Sequence, residues 1–302
     1  MRRRKAGGLS GLRRKEAAAG YLFLLPNFLG FLTFSIFPIA VAIALTFTDW
    51  DLASTPRFAG LSNFSRMMSD DLFRKTLLNT FYYAFVAVST GVFIAFWLAL
   101  LINRKMRGVL IFRVVYFLPH VTLMVAAAIV WAWIYHPEFG LINYLLSRVG
   151  IQGPRWLFDS RWAMPAIIIM SNWRGIGYAM LIFLAGLQGV PEELYEAATI
   201  DGASGWQRLR HITVPLLSPT TFFVLTTSLI GAFQGFDQFY IMTQGGPAFS
   251  TTTLVLYIFN NAFQYFKMGY AASMAAVLFL CILMVTLIQW RAGKIWVHGF
   301  EA

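Results

Sequence analysis

The segment LLNTFYYAFVAVSTGVFIAFWLALLI (77–102) runs for 26 residues without an acid, a lysine, an arginine or a histidine. As a helix it would extend about 39 Å, more than the roughly 30 Å of a bilayer's hydrocarbon core. It is followed by the short basic turn NRKMRG (103–108) and then by VLIFRVVYFLPHVTLMVAAAIVWAWI (109–134), again long enough to span. Two such runs joined by a tight basic loop predict a pair of transmembrane helices with the loop on the positively charged side. Strand alternation is absent, and the runs exceed the length of barrel strands, so the pair is helical.

Working outward, four further stretches qualify: Tyr21–Phe47, Ala163–Leu187, Leu216–Ile241 and Ala271–Gln289. With Leu77–Ile102 and Val109–Ile134 they make six expected spans. The run Tyr21–Phe47 is too long for the apolar region of a signal peptide and reads as a retained span. The composition agrees: 58% of the 302 residues are hydrophobic and 12% charged, against about 25% charged in a soluble domain. The net charge of +11 is concentrated at the start, in Arg2, Arg3, Arg4, Lys5, Arg13, Arg14 and Lys15. No basic stripe runs through polar globular sequence, which excludes nucleic-acid binding as the explanation.

Placing the N-terminus inside puts fifteen of the 24 basic residues on the cytoplasmic side and eight outside, with Arg174 inside a span. Both termini are therefore expected in the cytoplasm. Residues 1–15 form a basic tail and 16–302 a single all-α polytopic membrane domain. The external segment from Asp49 to Lys75 is expected to form a short amphipathic cap. The lone Cys281 lies in an apolar run and suits packing.

The loop VPEELYEAATIDGASGWQRLRHITVPLLSP (190–219), between spans four and five, carries explicit helix punctuation. Pro191 suits a first helical position, and Glu192 and Glu193 favour the positive end of the dipole. Asp201-Gly202 supplies a stop. Ser204 followed by Gln207 is a capping box that opens a second helix, and Pro215 is expected to end it. Two capped helices in a connector suggest a docking element for a cytoplasmic protein; a well-capped connector remains the alternative.

Within this loop, Glu196-Ala197-Ala198, Asp201-Gly202-Ala203 and Ile212-Thr213-Val214-Pro215 resemble the EAA loop of binding-protein-dependent ABC importer permeases. Val214 stands where the pattern usually has leucine. Further segments resemble the carbohydrate branch, similar to permeases for maltose, lactose and glycerol phosphate: YLFLLPNFLGFLTFSIFPIAVAIALTFTDWDL, FRVVYFLPHVT, SNWRGIGYAMLIFLAGLQGVPEELYEAA and FDQFYIMTQGGPAFSTTTLVLYIF. The resemblance implies a multi-pass permease of a bacterial-type inner membrane, with loop 188–215 as the coupling helix on an ATPase. It implies a second permease subunit, two ATPase subunits and an extracytoplasmic solute-binding protein. It also implies translocation of a sugar or related polar solute by alternating access.

No GxxxxGK[ST] phosphate loop, HExxH or CxxC spacing occurs, and the histidines are scattered at 120, 136, 211 and 298. The chain is therefore expected to be no enzyme, with no catalytic or metal site and no cofactor of its own. ATP and Mg²⁺ belong on the ATPase partners.

An ionisable group inside a span indicates a cavity or a partner. Ser171, Arg174, Gly175 and Tyr178 share one face of the fourth span. Ser228, Gly231, Gly235 and Gln238 share one on the fifth, with Gln234 and Asp237 beside it, and the third contributes His120. These form the candidate solute pathway; close helix packing through the glycines is the competing account. An Arg, a Tyr and a Gln suit a neutral sugar, while the Arg would equally serve an acidic or phosphorylated one. Two other classes compete. An ion-driven secondary transporter would show repeated halves. A membrane anchor of an enzyme complex would need several histidines within spans, of which only His120 is a candidate.

Overall fold

The computed structural model describes residues 7–103 and 108–297. The basic residues Arg2 to Lys5, the turn residues Arg104, Lys105 and Arg107, and His298 lie outside them. The described residues are mostly helical. Helix α1 (Gly7–Phe31) passes through a π-helical turn (Leu32–Ile36) into α2 (Phe37–Leu45), so the segment Arg13–Leu45 is one long apolar rod. The π turn stands directly before Pro38. Proline has no N–H and its ring crowds the carbonyl one turn back, and a widened turn accommodates both.

The first external segment holds a two-residue strand pair, β1 (Thr48–Asp49) against β2 (Arg57–Phe58), and the short helix α3 (Ser62–Met68). The expected cap is thus helical only in its second half. Asn63 holds it in place by donating to the carbonyls of Thr46 and Thr48 at 3.0 and 2.9 Å.

Helix α4 (Asp71–Ile102) is the central strut. Asp70 caps it, accepting from the amides of Leu72 and Phe73, while its other oxygen accepts from the Tyr257 and Tyr270 hydroxyls at 2.8 and 2.6 Å. The basic turn leads to α5 (Val109–Val121) and α6 (Met124–Ile134), which meet at 99°. The expected third span is therefore not one rod. Pro119 weakens the last turn of α5, Thr122 is extended at φ −66°, ψ 140°, and the chain turns there. Helix α7 (Leu141–Arg148) and a 3₁₀ turn (Trp156–Phe158) lead into α8 (Ala163–Gln188), which is unbroken.

Next come α9 (Glu192–Ile200), α10 (Gly205–Arg208), a π turn (Leu209–Thr213) and α11 (Val214–Leu216). Pro215 does not end the second helix of the loop as expected. The π turn before it lets the helix run through, and the 62° bend falls between Leu216 and Ser218. Helix α12 (Ser218–Phe233) then stops short of the expected Ile241. Gln234-Gly235-Phe236 break it, and α13 (Asp237–Met242) is a separate short helix. Glycine costs about 1 kcal/mol in a helix interior, which makes Gly235 a natural break. Helix α14 (Leu254–Phe259), a π turn (Asn260–Gln264) and α15 (Met268–Trp296) complete the chain. Among the described residues four helices are thus long and apolar enough to cross a membrane unbroken, and two bent pairs bring the possible total to six.

Helices α4 and α8 pack along their length. Ala95 and Ala99 of α4, both fully buried, face Met180, Phe183 and Leu187 of α8. Small side chains four apart let two backbones approach closely, which is how helices associate without a hydrophobic drive between them. A second core joins Tyr83, Ile167, Phe239 and Leu256, and a third joins Phe73, Phe233, Tyr270 and Met274. By contrast the α1–α2 rod keeps Tyr21, Phe23, Phe34 and Phe37 more than 60% exposed, a surface matched to acyl chains rather than water.

Candidate functional site

Two places carry the candidate residues: the loop formed by α9 to α11, and a cavity between α4, α5, α8 and α12.

The loop is built by capping. Pro191 is the N-cap of α9 rather than its first helical residue, with ψ at 131°, and Glu192 and Glu193 occupy the first turn. At the other end Gly202 adopts φ +76°, its amide donates to the Thr199 carbonyl, and the Ala203 amide reaches back to Ala198 at 2.8 Å. This pair of bonds is a Schellman motif, which needs the left-handed residue that glycine supplies without strain. Ser204 then caps α10: its hydroxyl accepts from the Gln207 amide while Gln207 Oε1 accepts from the Ser204 amide. Arg208 Nη1 donates to Thr199 Oγ1 at 2.9 Å, and the Tyr195 and Thr213 hydroxyls pair at 3.0 Å. The loop is therefore a cross-braced unit.

Glu196, Ala197, Asp201 and Gly202 are exposed on it, whereas Ala198 and Ala203 are half-buried. Three residues that the motif reading passed over shape its surface: Leu194, Ile200 at 87% exposure and Trp206 at 64%. Exposed Ile and Trp on a rigid helical pair form an apolar knob, the composition of a protein contact. The signal available was apolar side chains set between explicit capping residues.

The cavity has a volume of about 600 Å³. All nine of His120, Ser171, Arg174, Gly175, Tyr178, Ser228, Gln234, Gly235 and Asp237 line it. Those of α8 come from one helical face as expected. Those from the fifth span do not: Ser228 lies on α12, Gln234 and Gly235 in the break, and Asp237 in α13. Unwound backbone at this depth is sustainable where it lines a cavity.

Arg174 has an answer that sequence reasoning did not foresee. Its Nε and Nη2 donate to the Thr122 carbonyl at 3.4 and 3.3 Å, so it grips the broken end of α5. That end carries the negative pole of the helix, which favours a cation. Asp237 is not within ion-pair distance of it; the one ion pair among the described residues joins Arg74 and Asp71. Two turns of α5 dock on α8 beside this contact. The His120 and Tyr178 rings stack at 4.7 Å and 10°, and the backbone at Gly177 lies so close to the Tyr116 carbonyl that no Cβ would fit.

The opposite walls are also polar. Gln238 donates to the Tyr83 hydroxyl at 3.0 Å, and Asn172 donates to Thr90 Oγ1 at 2.8 Å. Tyr83, Gly91 and Thr227 line the cavity without having been anticipated, because each sits in a run that reads as plain apolar helix. The lining thus offers a guanidinium, a carboxylate, amides, hydroxyls and a flat aromatic pair. Such a set offers hydrogen bonds, charge and an apolar ring face to a small polar molecule.

Residues 74–292 match the family model described as the inner membrane component of binding-protein-dependent transport systems. The chain is 39% identical over 290 residues to the probable ABC transporter permease protein YesP of Bacillus subtilis, covering 94% of this chain and 93% of that one. It is 36% identical to the lactose transport system permease protein LacF of Rhizobium radiobacter, over 94% and 97% of the two chains. A bacterial ABC transporter that imports the acidic polysaccharide alginate shares the fold, with a TM-score of 0.82 at 24% identity over 93% of this chain and 96% of that one.

Proposed function

The chain belongs to the family of inner-membrane components of binding-protein-dependent transport systems, and on that premise we propose that it translocates a sugar or related polar solute into the cell by alternating access. It is a multi-pass inner-membrane permease. The observation that carries the reading is the division of labour along α8 and α12. At one end the braced α9–α10 pair presents Ile200 and Trp206 to a partner; further along the same helices lies a polar cavity inside an apolar body. In this reading the loop is cytoplasmic and seats in an ATPase subunit, and Glu196, Ala197, Ala198, Asp201, Gly202, Ala203 and Pro215 maintain its shape. The chain pairs with a second permease subunit over two ATPase subunits, which hold ATP and Mg²⁺, and receives solute from an extracytoplasmic binding protein. Its six spans, two of them bent, leave both termini in the cytoplasm. The flat His120–Tyr178 pair and the amides of Gln234 and Asn172 suit the apolar face and hydroxyl edge of a sugar ring.

A second reading within the same scheme is an acidic or phosphorylated sugar. Arg174 favours it, because its bonds to Thr122 are long and no carboxylate pairs with it.

The test is co-purification with the ATPase subunits and measurement of binding-protein-stimulated ATP hydrolysis. Gly202→Pro abolishes the Schellman turn and is expected to uncouple hydrolysis from uptake while the chain remains in the membrane. Wild-type uptake and stimulation in that variant would refute the coupling role.

A further inference from the structure

The stretch from His136 to Phe158, between α6 and α8, encloses a second cavity of about 840 Å³ that shares no lining residue with the first. Helix α8 fixes its place. That helix begins at Ala163, beside the stretch, and ends at Gln188, where the α9–α11 loop starts, so the two lie at opposite ends of one helix. Asn143 on α7 holds the cavity's shape. Its Nδ2 donates to the carbonyls of Pro137 and Pro154 at 3.0 and 3.2 Å, and its Oδ1 accepts from Trp156 Nε1 at 2.7 Å. The backbone at Gly153 lies so close to the same amide that no Cβ would fit. A site braced in this way is formed before any ligand arrives.

The lining has two characters. Arg155 and Glu138 bring opposite charges to it, and neither side chain has a hydrogen bond or ion pair with another described residue. Around them stand Phe139, at 69% exposure, Leu141, Ile151 and Phe158, all exposed. The apolar surface continues over α7. Ile142 and Leu146 are half-buried on its inner side, while Leu141, Tyr144 and Leu145 are exposed on the other, so the helix is apolar on both. Water would meet that outer side at a cost of about 25 cal/mol per Å², and a bilayer interface meets it without one.

Neighbouring residues place the interface at this level. Trp133 is 72% exposed at the end of α6, and Trp162 is exposed just before α8. Tryptophan and tyrosine gather where headgroups meet acyl chains, and Arg148 lies over the Tyr144 ring at 4.9 Å. A saccharide would use the two charges and the stacked His136 and Phe139 rings but leave the apolar rim in water; a phospholipid uses all of them.

We propose that this cavity holds the headgroup of an aminophospholipid, its phosphate on Arg155 and its ammonium on Glu138, with the acyl chains over the apolar rim. The importer reading above supplies only the side of the membrane, the outer leaflet. A guanidinium matches phosphate oxygens with paired N–H donors. A carboxylate accepts from a primary ammonium, whereas a choline headgroup has no N–H to donate.

The test is photocrosslinking of the complete importer in nanodiscs of phosphatidylcholine and phosphatidylglycerol, doped with a diazirine-bearing phosphatidylethanolamine, with peptide mapping of the product. Labelling is expected within residues 136–158, and unlabelled phosphatidylethanolamine should compete about tenfold better than phosphatidylcholine. Arg155→Gln should lower labelling about tenfold, with Arg155→Lys restoring part of it. Glu138→Gln should keep the labelling and erase the preference for ethanolamine over choline. Equal competition by the two lipids in the wild type, unchanged labelling in Arg155→Gln, or labelling confined to other segments because a protein covers the cavity would overturn the proposal. Displacement of the label by soluble glycerophosphoethanolamine or by an oligosaccharide would overturn it too, since neither has acyl chains. Failure of the chain to co-purify with ATPase subunits, with the label still in place, would sink the importer reading and leave this one standing.

Discussion

At the residue scale, Arg174 shows how a half-buried charge within a span is accommodated without a counter-ion. An arginine facing lipid at mid-membrane costs several kcal/mol, and here the exposed carbonyl of a broken helix and a polar cavity share the load. Arg174→Ala is expected to change apparent solute affinity or selectivity while ATPase subunits still co-purify; loss of assembly instead would make the residue structural. Asp70 is a second single-residue lever, outside the spans. Burial pushes its carboxyl up, but the hydroxyls of Tyr270 and Tyr257 and the amides of Phe73 and Leu72 outweigh this and hold it below the usual 3.8. A group whose folded value is depressed stabilises the fold above its unfolded value and loses that contribution as pH falls through the folded one. Asp70→Ala should therefore cost about 1–2 kcal/mol as a lost cap. Thermal unfolding in detergent should show the full gap between wild type and variant at pH 5 and above, narrowing only below 3.8.

At the scale of elements, the departures from straight helices have local causes. Pro38 and Pro215 each follow a π turn, and Pro119 precedes the 99° bend between α5 and α6. The bend does not leave α5 loose. Gly177 against Tyr116, Arg174 on Thr122 and Tyr178 on His120 key α5 to α8 along two turns, whereas α6 packs on α13. Gly177→Leu would force α5 from α8. It should cost more than about 3 kcal/mol, because the new side chain would meet the backbone of Tyr116 and Phe117, which cannot give way. The readout is loss of monodisperse protein on size-exclusion chromatography, with Gly177→Ala intermediate.

At the scale of the whole molecule, the braced loop lies beside one end of α4, segment 248–252, held by Lys75 and Asn79, beside the other, and the polar cavity between them. The arrangement makes topology a direct test. Single cysteines placed at Glu196 and Arg210 in a Cys281→Ala background should be labelled by a membrane-impermeant maleimide only after the membrane is opened. Cysteines at Asp70, Asp159 and Gly246 should be labelled in intact spheroplasts. An external Glu196 would invert the molecule and end the docking proposal.

The sequence by itself determined the solvent, the element type and the capping chemistry. Long apolar runs can satisfy their backbone in a bilayer only as helices, and Ser204, Gln207 and Gly202 act on backbone groups within three or four residues. Their effects are therefore legible locally. It also marked nine of the residues that line the cavity, Arg174, Gln234 and Asp237 among them, because an Arg, an Asp or a Gln inside an apolar run is conspicuous wherever it falls. What it did not determine was where the runs would bend. Hydropathy carried the third and fifth spans straight through Thr122 and Gly235, since an apolar average is blind to the direction of the chain. Pro119 and Gly235 permit those breaks locally, and partners distant in sequence hold them: Arg174 gripping the Thr122 carbonyl across 52 positions, and Gln238 reaching Tyr83 across 155. Only tertiary structure supplies hydrogen-bond partners for the groups that a broken span leaves open, such as the Arg174 donors for the Thr122 carbonyl, so only tertiary structure could decide that a break the local sequence permits is in fact made.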